Sequence, residues 1–251
     1  MLYYYIVSIY LVIVFIATSL VFFPIAVLLR ILTGWFDRQL VVLHMFSCFW
    51  GSCYTWLCPI WSVVIAGREN IDRKKACVMA CNHQSILDIL VIYRIFVYFK
   101  WVAKASLFKV PIIGWNMRLN RYIQIERSST KSQRKMLRQS GENIKKGSSL
   151  MIFPEGTRSR DGRLRHFKEG AFMVALSEKT DIVPMVLDGS AKALPEKGLM
   201  PRTKQNVCLR ILPPLPYSDF KDMNARELAE HVHDIVDNEL TRIRNTGERK
   251  I

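Results

Sequence analysis

The chain opens with a long run without formal charge, from Leu2 to Leu29, and this run constrains the fold more than any other feature of the sequence. An α-helix needs about 20 apolar residues to cross the ~30 Å hydrocarbon core of a bilayer. The run is long enough for a transmembrane helix, which Pro24 is expected to bend or end. A signal peptide is the competing interpretation, but no basic residue precedes the run and no small-residue cleavage site stands out after it.

A second uncharged stretch runs from Gln39 to Ala66, is rich in aromatic residues, and is interrupted by Gly51 and Pro59. Aromatic side chains concentrate where lipid meets water. We therefore expect residues 1–67 to form a two-helix membrane-anchoring hairpin with Gly34 in its turn, either spanning the bilayer twice or partly re-entrant. A pair of core helices in a soluble domain is the alternative.

The remaining residues, 68–251, carry almost all of the formal net charge of +15. Such a surplus favours anionic partners: phosphate head groups, a nucleotide-bearing donor, an acidic membrane surface or nucleic acid. The segment 68–75, directly after the anchor, is basic, and basic segments beside membrane helices tend to lie on the cytoplasmic side. We expect residues 68–251 to form one cytoplasmic domain.

The cysteines lie in apolar surroundings and lack paired C-x-x-C spacing. This pattern favours buried free thiols in a reducing compartment over a zinc site, so no metal ligand is assigned. The six are Cys48, Cys53, Cys58, Cys77, Cys81 and Cys208.

Short apolar segments alternate with helical patterns after Lys75, which is typical of a layered α/β domain. The strand candidates are residues 76–81, 98–103, 122–125, 149–153, 182–186 and 207–211. The helix candidates are residues 85–95, 131–146, 170–178 and 225–244. The last candidate is the best defined, because Asn224 and Glu227 form the pattern of a capping box before an apolar stripe.

A histidine and an aspartate, His83 and Asp88, follow the first of these strands. Residues five apart on one helix point about 140° away from each other. The two side chains therefore meet only if His83 lies in the turn and Asp88 in the first helical turn. An imidazole steadied by a carboxylate is a general base. The alternative is a capping box of Ser85 and Asp88 beside a solvated histidine.

A second polar run, residues 153–159, follows the strand candidate 149–153. Pro154 and Gly156 shape a turn there, and the planar guanidinium of Arg158 matches the oxygens of a phosphate. Glu155 is placed to accept a hydrogen bond from a substrate hydroxyl. A polar loop with a glycine turn is the alternative.

Further positive charge comes from Arg127, which follows strand candidate 122–125, and from the basic helix candidate 131–146. Arg127 is either a second phosphate ligand or part of a solvated face. The helix suits an acidic membrane surface or a polyphosphate donor.

In 181–186 a buried strand contains Pro184, which predicts an edge or a bulge.

With these residues assembled, the chain resembles the 1-acylglycerol-3-phosphate acyltransferases, within the wider glycerolipid acyltransferases. Four blocks carry the resemblance, in the family's order: 82–88, 114–127, 153–159 and 182–184. The resemblance implies a mixed β-sheet flanked by helices, with His83 as general base on a glycerol hydroxyl and Asp88 as its partner. It assigns substrate binding to Lys104, Arg127, Glu155, Gly156, Thr157 and Arg158.

The sequence departs from the family pattern at three positions of these blocks and their surroundings. Glu126 stands where aspartate is usual, and Arg121 stands where glycine is common. Ser106, two residues after Lys104, stands where the family often has glutamate. The departures leave the role of the second block open.

The resemblance implies acyl transfer from acyl-CoA or acyl carrier protein, as co-substrate and without a cofactor, to the sn-2 hydroxyl of lysophosphatidic acid. The product is phosphatidic acid, in phospholipid biosynthesis. Membrane phospholipids are the implied partners and nucleic acid is not. The implied location is a bacterial inner membrane or the endoplasmic reticulum, with the catalytic domain on the cytoplasmic side.

Three alternatives stay open from the residues alone. The acceptor is instead another lysophospholipid or glycerol 3-phosphate, because the blocks specify only a hydroxyl and a phosphate. A non-catalytic, membrane-anchored protein that binds anionic lipid needs the basic surface but neither His83 nor Asp88. A serine or cysteine nucleophile is disfavoured, because the chain lacks a G-x-S-x-G elbow and Cys81 lies in a strand.

Overall fold

The computed structural model describes residues 2–159, 162–193 and 203–247, and its central feature is a seven-stranded sheet in the order β1-β7-β6-β2-β5-β3-β4. Strands β6, β2, β5, β3 and β4 are mutually parallel, whereas β7 runs antiparallel to β6 and parallel to β1. The predicted mixed sheet is confirmed. The strands are β1 Trp61–Ala66, β2 Val78–Cys81, β3 Phe99–Lys104, β4 Ile123–Ile125, β5 Ser149–Ile152, β6 Ile182–Asp188 and β7 Gln205–Ile211.

Helices cover both faces of the sheet, which is why its central strands are apolar throughout. Along β2, Met79 and Cys81 pack into the core on one face with α3. Val78 and Ala80 pack on the other face with α6 and α9. The helices are α1 Leu2–Thr33, α2 Val41–Leu57, α3 Leu87–Tyr93, α4 Ile113–Leu119, α5 Thr130–Lys145, α6 Gly170–Ser177, α7 Ser190–Ala193, α8 Tyr217–Phe220 and α9 Ala225–Thr246.

The predicted C-terminal helix is confirmed as α9. The side chain of Asn224 accepts from the backbone N–H groups of Arg226 and Glu227, and the Glu227 side chain accepts from the N–H of Asn224. This reciprocal capping satisfies donors that a helix start leaves unpaired. The helix ends at Gly247, whose φ of 68° suits glycine.

Helix α1 has the length and hydropathy of a membrane span, and it is the one helix of the described residues that does. It continues past Pro24 to Thr33, so Pro24 does not end it. A proline removes one backbone hydrogen bond. Beyond it, Ala26 and Leu29 pack against Leu40 and Leu43.

The second uncharged stretch does not form one membrane helix, so the expected two-helix membrane hairpin is not shown. Helix α2 stops at Leu57, before Pro59, and the β-branched run that follows is strand β1, paired with β7. The sheet therefore begins inside the predicted anchor range 1–67. Helix α2 has buried residues facing the domain, Leu43 and Cys48 among them.

Strand β6 lies between β7 and β2, so the edge predicted from Pro184 is wrong. The predicted alternative, a bulge, agrees with the pairing there: between the bridge Ile182–Leu215 and the pair Met185–Ile211 the opposite segment has one residue more than β6. Pro184 is opposite Ala80 of β2. On the other side, pairing with β7 covers only Met185–Asp188. The proline thus stands just before the ladder with β7 begins, where its missing N–H breaks no hydrogen bond of that ladder.

Candidate active site

The polar blocks meet at one edge of the sheet because the strands before them are neighbours and parallel. The carboxyl ends of β2, β5, β3 and β4 share that edge. His83 follows β2, the loop 153–159 follows β5, Lys104 ends β3, and Arg127 follows β4. Crevices at the carboxyl ends of parallel strands are the usual ligand sites of open α/β sheets.

The predicted pairing of His83 with Asp88 is confirmed. Nδ1 of His83 lies 2.8 Å from Oδ2 of Asp88, and Asp88 is fully buried. The histidine lies in the turn after β2, and Asp88 lies in the first turn of α3. Since a carboxylate only accepts, Nδ1 carries the proton, and Nε2 is left with a lone pair to accept one.

Asp88 also caps the turn, so the two interpretations of its role coexist. The same Oδ2 accepts the backbone N–H groups of Gln84 at 2.6 Å and of Ser85 at 2.9 Å. These bonds hold the carboxylate independently of the imidazole. The side chain that orients His83 is therefore itself fixed by the backbone.

The imidazole of His83 stacks on the ring of Phe153, with centroids 3.9 Å apart and planes 9° from parallel. Phe153 in turn contacts Trp101 of β3 at 5.5 Å between centroids. This support was missed from the sequence, where Phe153 stood only as the end of a strand. The one indication of this stacking in the sequence was that the second polar run begins with an aromatic residue, Phe153.

Glu155 is buried, and both of its carboxylate oxygens bind backbone. Oε1 accepts the N–H of His83 at 2.6 Å, and Oε2 accepts the N–H of Arg165 at 3.2 Å. Burial raises the pKa of Glu155 to about 7, although these two hydrogen bonds lower it. The expected hydrogen bond to a substrate hydroxyl thus faces competition, because the carboxylate already holds the turn of His83.

A second hydrogen bond joins the same two segments. The N–H of Ser159 donates to the carbonyl oxygen of His83 at 2.8 Å. Both backbone groups of His83 are therefore held by the loop after β5. This bond was not predictable from the sequence, since every residue type except proline has a backbone N–H.

Asn82 fixes the point at which β2 ends. Its Nδ2 donates to the carbonyl oxygen of Leu187 at 2.8 Å, and its Oδ1 accepts the N–H of Leu187 at 2.7 Å. Asn82 thus ties the residue before His83 to strand β6. The sequence placed Asn82 in the first block without this role.

The remaining predicted substrate residues lie at the same edge with different exposure. Gly156 is buried with a φ of 74°, a left-handed conformation that glycine adopts without strain. Thr157, Lys104 and Arg127 are exposed, and Arg158 is half-buried. Because adjacent strands lie ~4.8 Å apart, β3 is about 10 Å and β4 about 14 Å from β2. The cations thus spread along the edge, beginning with Arg158 beside the His83 turn.

The cysteines do not supply a nucleophile or a metal site at this edge. Cys81 is fully buried, and its burial raises the pKa of its thiol. Its sulfur lies 3.8 Å from Oδ1 of Asn82. No group of three His, Cys, Asp or Glu side chains comes together as metal ligands would in the described ranges. All six cysteines are free and buried.

Known proteins are similar to this chain in sequence and in fold. The Acyltransferase family model matches residues 62–188, from within β1 to the end of β6. A 1-acyl-sn-glycerol-3-phosphate acyltransferase of Chlamydomonas reinhardtii is 37% identical over 180 residues, 70% of this chain and 54% of that protein. The enzyme of that name from Saccharomyces cerevisiae is 38% identical over 177 residues, 68% of this chain and 57% of that one.

The matches cover about half the length of these curated relatives. The crystal structure of the 1-acyl-sn-glycerophosphate (LPA) acyltransferase PlsC from Thermotoga maritima superposes with a TM-score of 0.79 at 22% identity, covering 97% of both chains. That likeness establishes the common fold, α1 and α2 included. The chain belongs to the Acyltransferase family, with the 1-acyl-sn-glycerol-3-phosphate acyltransferases among its relatives.

Proposed function

We propose that the protein transfers an acyl group from an acyl thioester to the sn-2 hydroxyl of lysophosphatidic acid and so forms phosphatidic acid. The observation that carries the proposal is the 2.8 Å contact between His83 and Asp88 at the carboxyl edge of the sheet. The names of the relatives support the choice of acceptor. Either acyl-CoA or acyl carrier protein serves as the donor and co-substrate.

In this mechanism Nε2 of His83 takes the proton of the acceptor hydroxyl. The freed oxygen attacks the thioester carbonyl, a carbon–oxygen bond forms, and the carbon–sulfur bond breaks. The proton then passes from the imidazolium to the leaving thiolate. Asp88 stabilises the imidazolium meanwhile, since its carboxylate faces Nδ1. No covalent enzyme intermediate is needed.

The acceptor phosphate is bound by the cations of the same edge. Arg158 offers a bidentate fork close to the turn of His83, while Lys104 and Arg127 add charge on the neighbouring strands. Gly156 allows the tight turn that exposes Thr157 to the crevice. Glu155 acts on the acceptor through the position of His83, because backbone groups occupy both of its oxygens.

We further propose that α1 lies along the membrane surface with the domain beside it on the cytoplasmic side. A helix that crossed the bilayer would touch an external domain only near one end. Near its start, Val7 packs with Cys58 and Ile60, and near its end Ala26 packs with Leu40. The opposite face of α1 is exposed and apolar, from Leu2 through Leu20 to Ile31. With its other face covered by the domain, α1 would insert this apolar face into the head-group region and hold the domain at the plane where acceptor and product reside.

The test is transfer of a radiolabelled acyl group by the purified protein and by His83→Ala. A general base contributes ~10²–10⁴ in rate, so the variant is expected to lose at least that factor. The acceptors are lysophosphatidic acid, another lysophospholipid and glycerol 3-phosphate, each with both thioester carriers. His231→Ala, an exposed histidine of α9, is the matched control. Near-normal transfer by His83→Ala would refute the mechanism, and preference for another acceptor would refute the substrate.

A further inference from the structure

A cavity of about 200 Å³ opens at the edge of the sheet opposite His83. It lies at the amino ends of β3 and β5, where Tyr98, Lys100 and Ser148 contribute to its wall. One water molecule needs roughly 10–15 Å³ of such space, so the cavity admits a group of several heavy atoms. The active-site blocks contribute none of its lining residues apart from Arg121, which precedes β4.

Lys100 is the chemical centre of this cavity. It is 3% exposed, and among the described residues its Nζ donates to two backbone carbonyl oxygens, those of Gln39 at 2.9 Å and Asn120 at 2.8 Å, and lies 5.3 Å from the centroid of the Tyr98 ring. An ammonium has three donors, so one remains for another acceptor. Among the described residues no carboxylate forms an ion pair with it. Burial lowers the pKa of Lys100 to about 8, and the charge of Arg121 adds to this effect.

The cavity wall carries a surplus of positive charge. Arg38, Arg121 and Lys146 line it with Lys100, and Glu142 is the one acidic residue among the described residues of the lining. The charge of Asp37 raises the pKa of Lys100 and so offsets part of this surplus, while its two oxygens accept the backbone N–H groups that begin α2. A buried cation among other cations is costly unless an anion joins them.

Arg121 lies on the cavity wall directly after the C-cap of helix α4. Its φ of 53° is the left-handed conformation of a helix C-terminal cap, in which the N–H of Tyr122 donates to the carbonyl oxygen of Met117 at 3.1 Å. The cap accounts for this conformation, so what Arg121 contributes to the cavity is the charge of its guanidinium.

We propose that this cavity is a second phosphate-binding site, separate from the active-site crevice, in which Arg38, Lys100, Arg121 and Lys146 surround one phosphate group. The turn before Arg38 exposes Trp35 and Phe36, 80% and 57% accessible, which places the opening next to an apolar surface fit for the lipid interface. A head-group phosphate and a free phosphate share this chemistry. The inference does not depend on the proposed acyl transfer.

The experiment measures phosphate binding by the full-length protein and its variants. Arg121→Gly removes the guanidinium and relieves the left-handed φ, so the fold is retained, and Lys146→Gln changes an exposed position. Lys135→Gln, exposed on helix α5, which Lys146 directly follows, but outside the cavity, is the matched control. The probes are inorganic phosphate and vesicles of phosphatidylcholine with or without an equal amount of phosphatidic acid.

We expect phosphate to raise the unfolding temperature and to slow hydrogen exchange in the peptides that contain Tyr98 and Ser148. In the double variant Arg121→Gly/Lys146→Gln the affinity should fall at least ~10-fold, as for the loss of a charged hydrogen bond, while Lys135→Gln binds like the unmodified protein. If only the vesicles that contain phosphatidic acid bind, the ligand is a lipid head group. If inorganic phosphate binds as well, the site accepts a free anion. Equal affinity in the double variant and the control, or protection confined to residues 153–159, would overturn the proposal.

Discussion

The carboxylate of Glu155 accepts a hydrogen bond from the backbone N–H of His83, with 2.6 Å between Oε1 and the nitrogen. Glu155 follows β5 and His83 follows β2, which are adjacent parallel strands. The bond therefore joins the two loops that carry the site. Together with the N–H of Ser159 on the carbonyl oxygen of His83, it fixes the peptide that holds the imidazole. Glu155 is a positioning residue in this arrangement.

Replacement of Glu155 by glutamine should lower kcat while leaving the KM for the acceptor nearly unchanged. An amide has one acceptor oxygen, so either the N–H of His83 or that of Arg165 loses its partner. A buried donor left unpaired costs about 1–3 kcal/mol, and thermal unfolding measures this loss. Glu69→Gln, at an exposed carboxylate, is the control. A rise in KM with constant kcat would instead indicate that Glu155 binds the acceptor directly.

The raised pKa of Glu155 predicts a pH dependence of stability. Its ordinary value is 4.5 and its folded value is about 7, so the folded protein holds a proton that the unfolded chain releases between these limits. The contribution of Glu155 to the free energy of unfolding is therefore greatest below pH 4.5. It declines as the pH rises to about 7 and changes no further above that pH. The difference in unfolding temperature between the unmodified protein and Glu155→Gln should follow this course. A difference independent of pH across that window would contradict it.

Asp88→Asn should impair turnover through the charge that faces His83. Oδ2 of Asp88 accepts from Nδ1 of His83 and from the N–H groups of Gln84 and Ser85, so the oxygen of asparagine keeps these three bonds in the same place. The neutral amide no longer stabilises the imidazolium that forms when Nε2 takes the proton of the acceptor. We expect kcat to fall by ~10²–10⁴ with little change in the unfolding temperature. A comparable fall in Asp72→Asn, at an exposed carboxylate, would show that the effect is not specific to Asp88.

The pairing of His83 with Asp88 was predictable because a strand ends just before His83 and a helix begins just before Asp88. The two side chains can meet only if His83 lies in the turn and Asp88 in the first turn of the helix. The role of Glu155 was not predictable, because its partners are backbone N–H groups, one of them in the turn after β2, 72 residues away in sequence. The alternating apolar runs predicted the strands β2 to β7 to within a few residues, since buried parallel strands are continuously apolar.

Strand β1 was missed for a related reason. Its residues, Trp61–Ala66, continue an uncharged stretch, and hydropathy alone does not separate an edge strand from the end of a membrane helix. The partner that decides the matter is β7, which lies more than a hundred residues later in the chain. Pro59 was the local signal, and it marks the end of α2.

The orientation of α1 in the membrane predicts a pattern of depth along the helix. Leu2, Leu20 and Ile31 are all exposed, at 73%, 68% and 68%, and at 100° per residue they lie on one face over about 43 Å. Single cysteines placed there are labelled selectively, because the native thiols are buried. If α1 lies along the surface, spin labels at the three positions report similar depths, whereas a crossing helix puts Leu20 near the centre and the other two at opposite surfaces. Cysteine at exposed Lys135 is the aqueous control. A deep central label flanked by shallow ones would refute the in-plane arrangement, because a helix of this length cannot be both parallel to the interface and deepest at its middle.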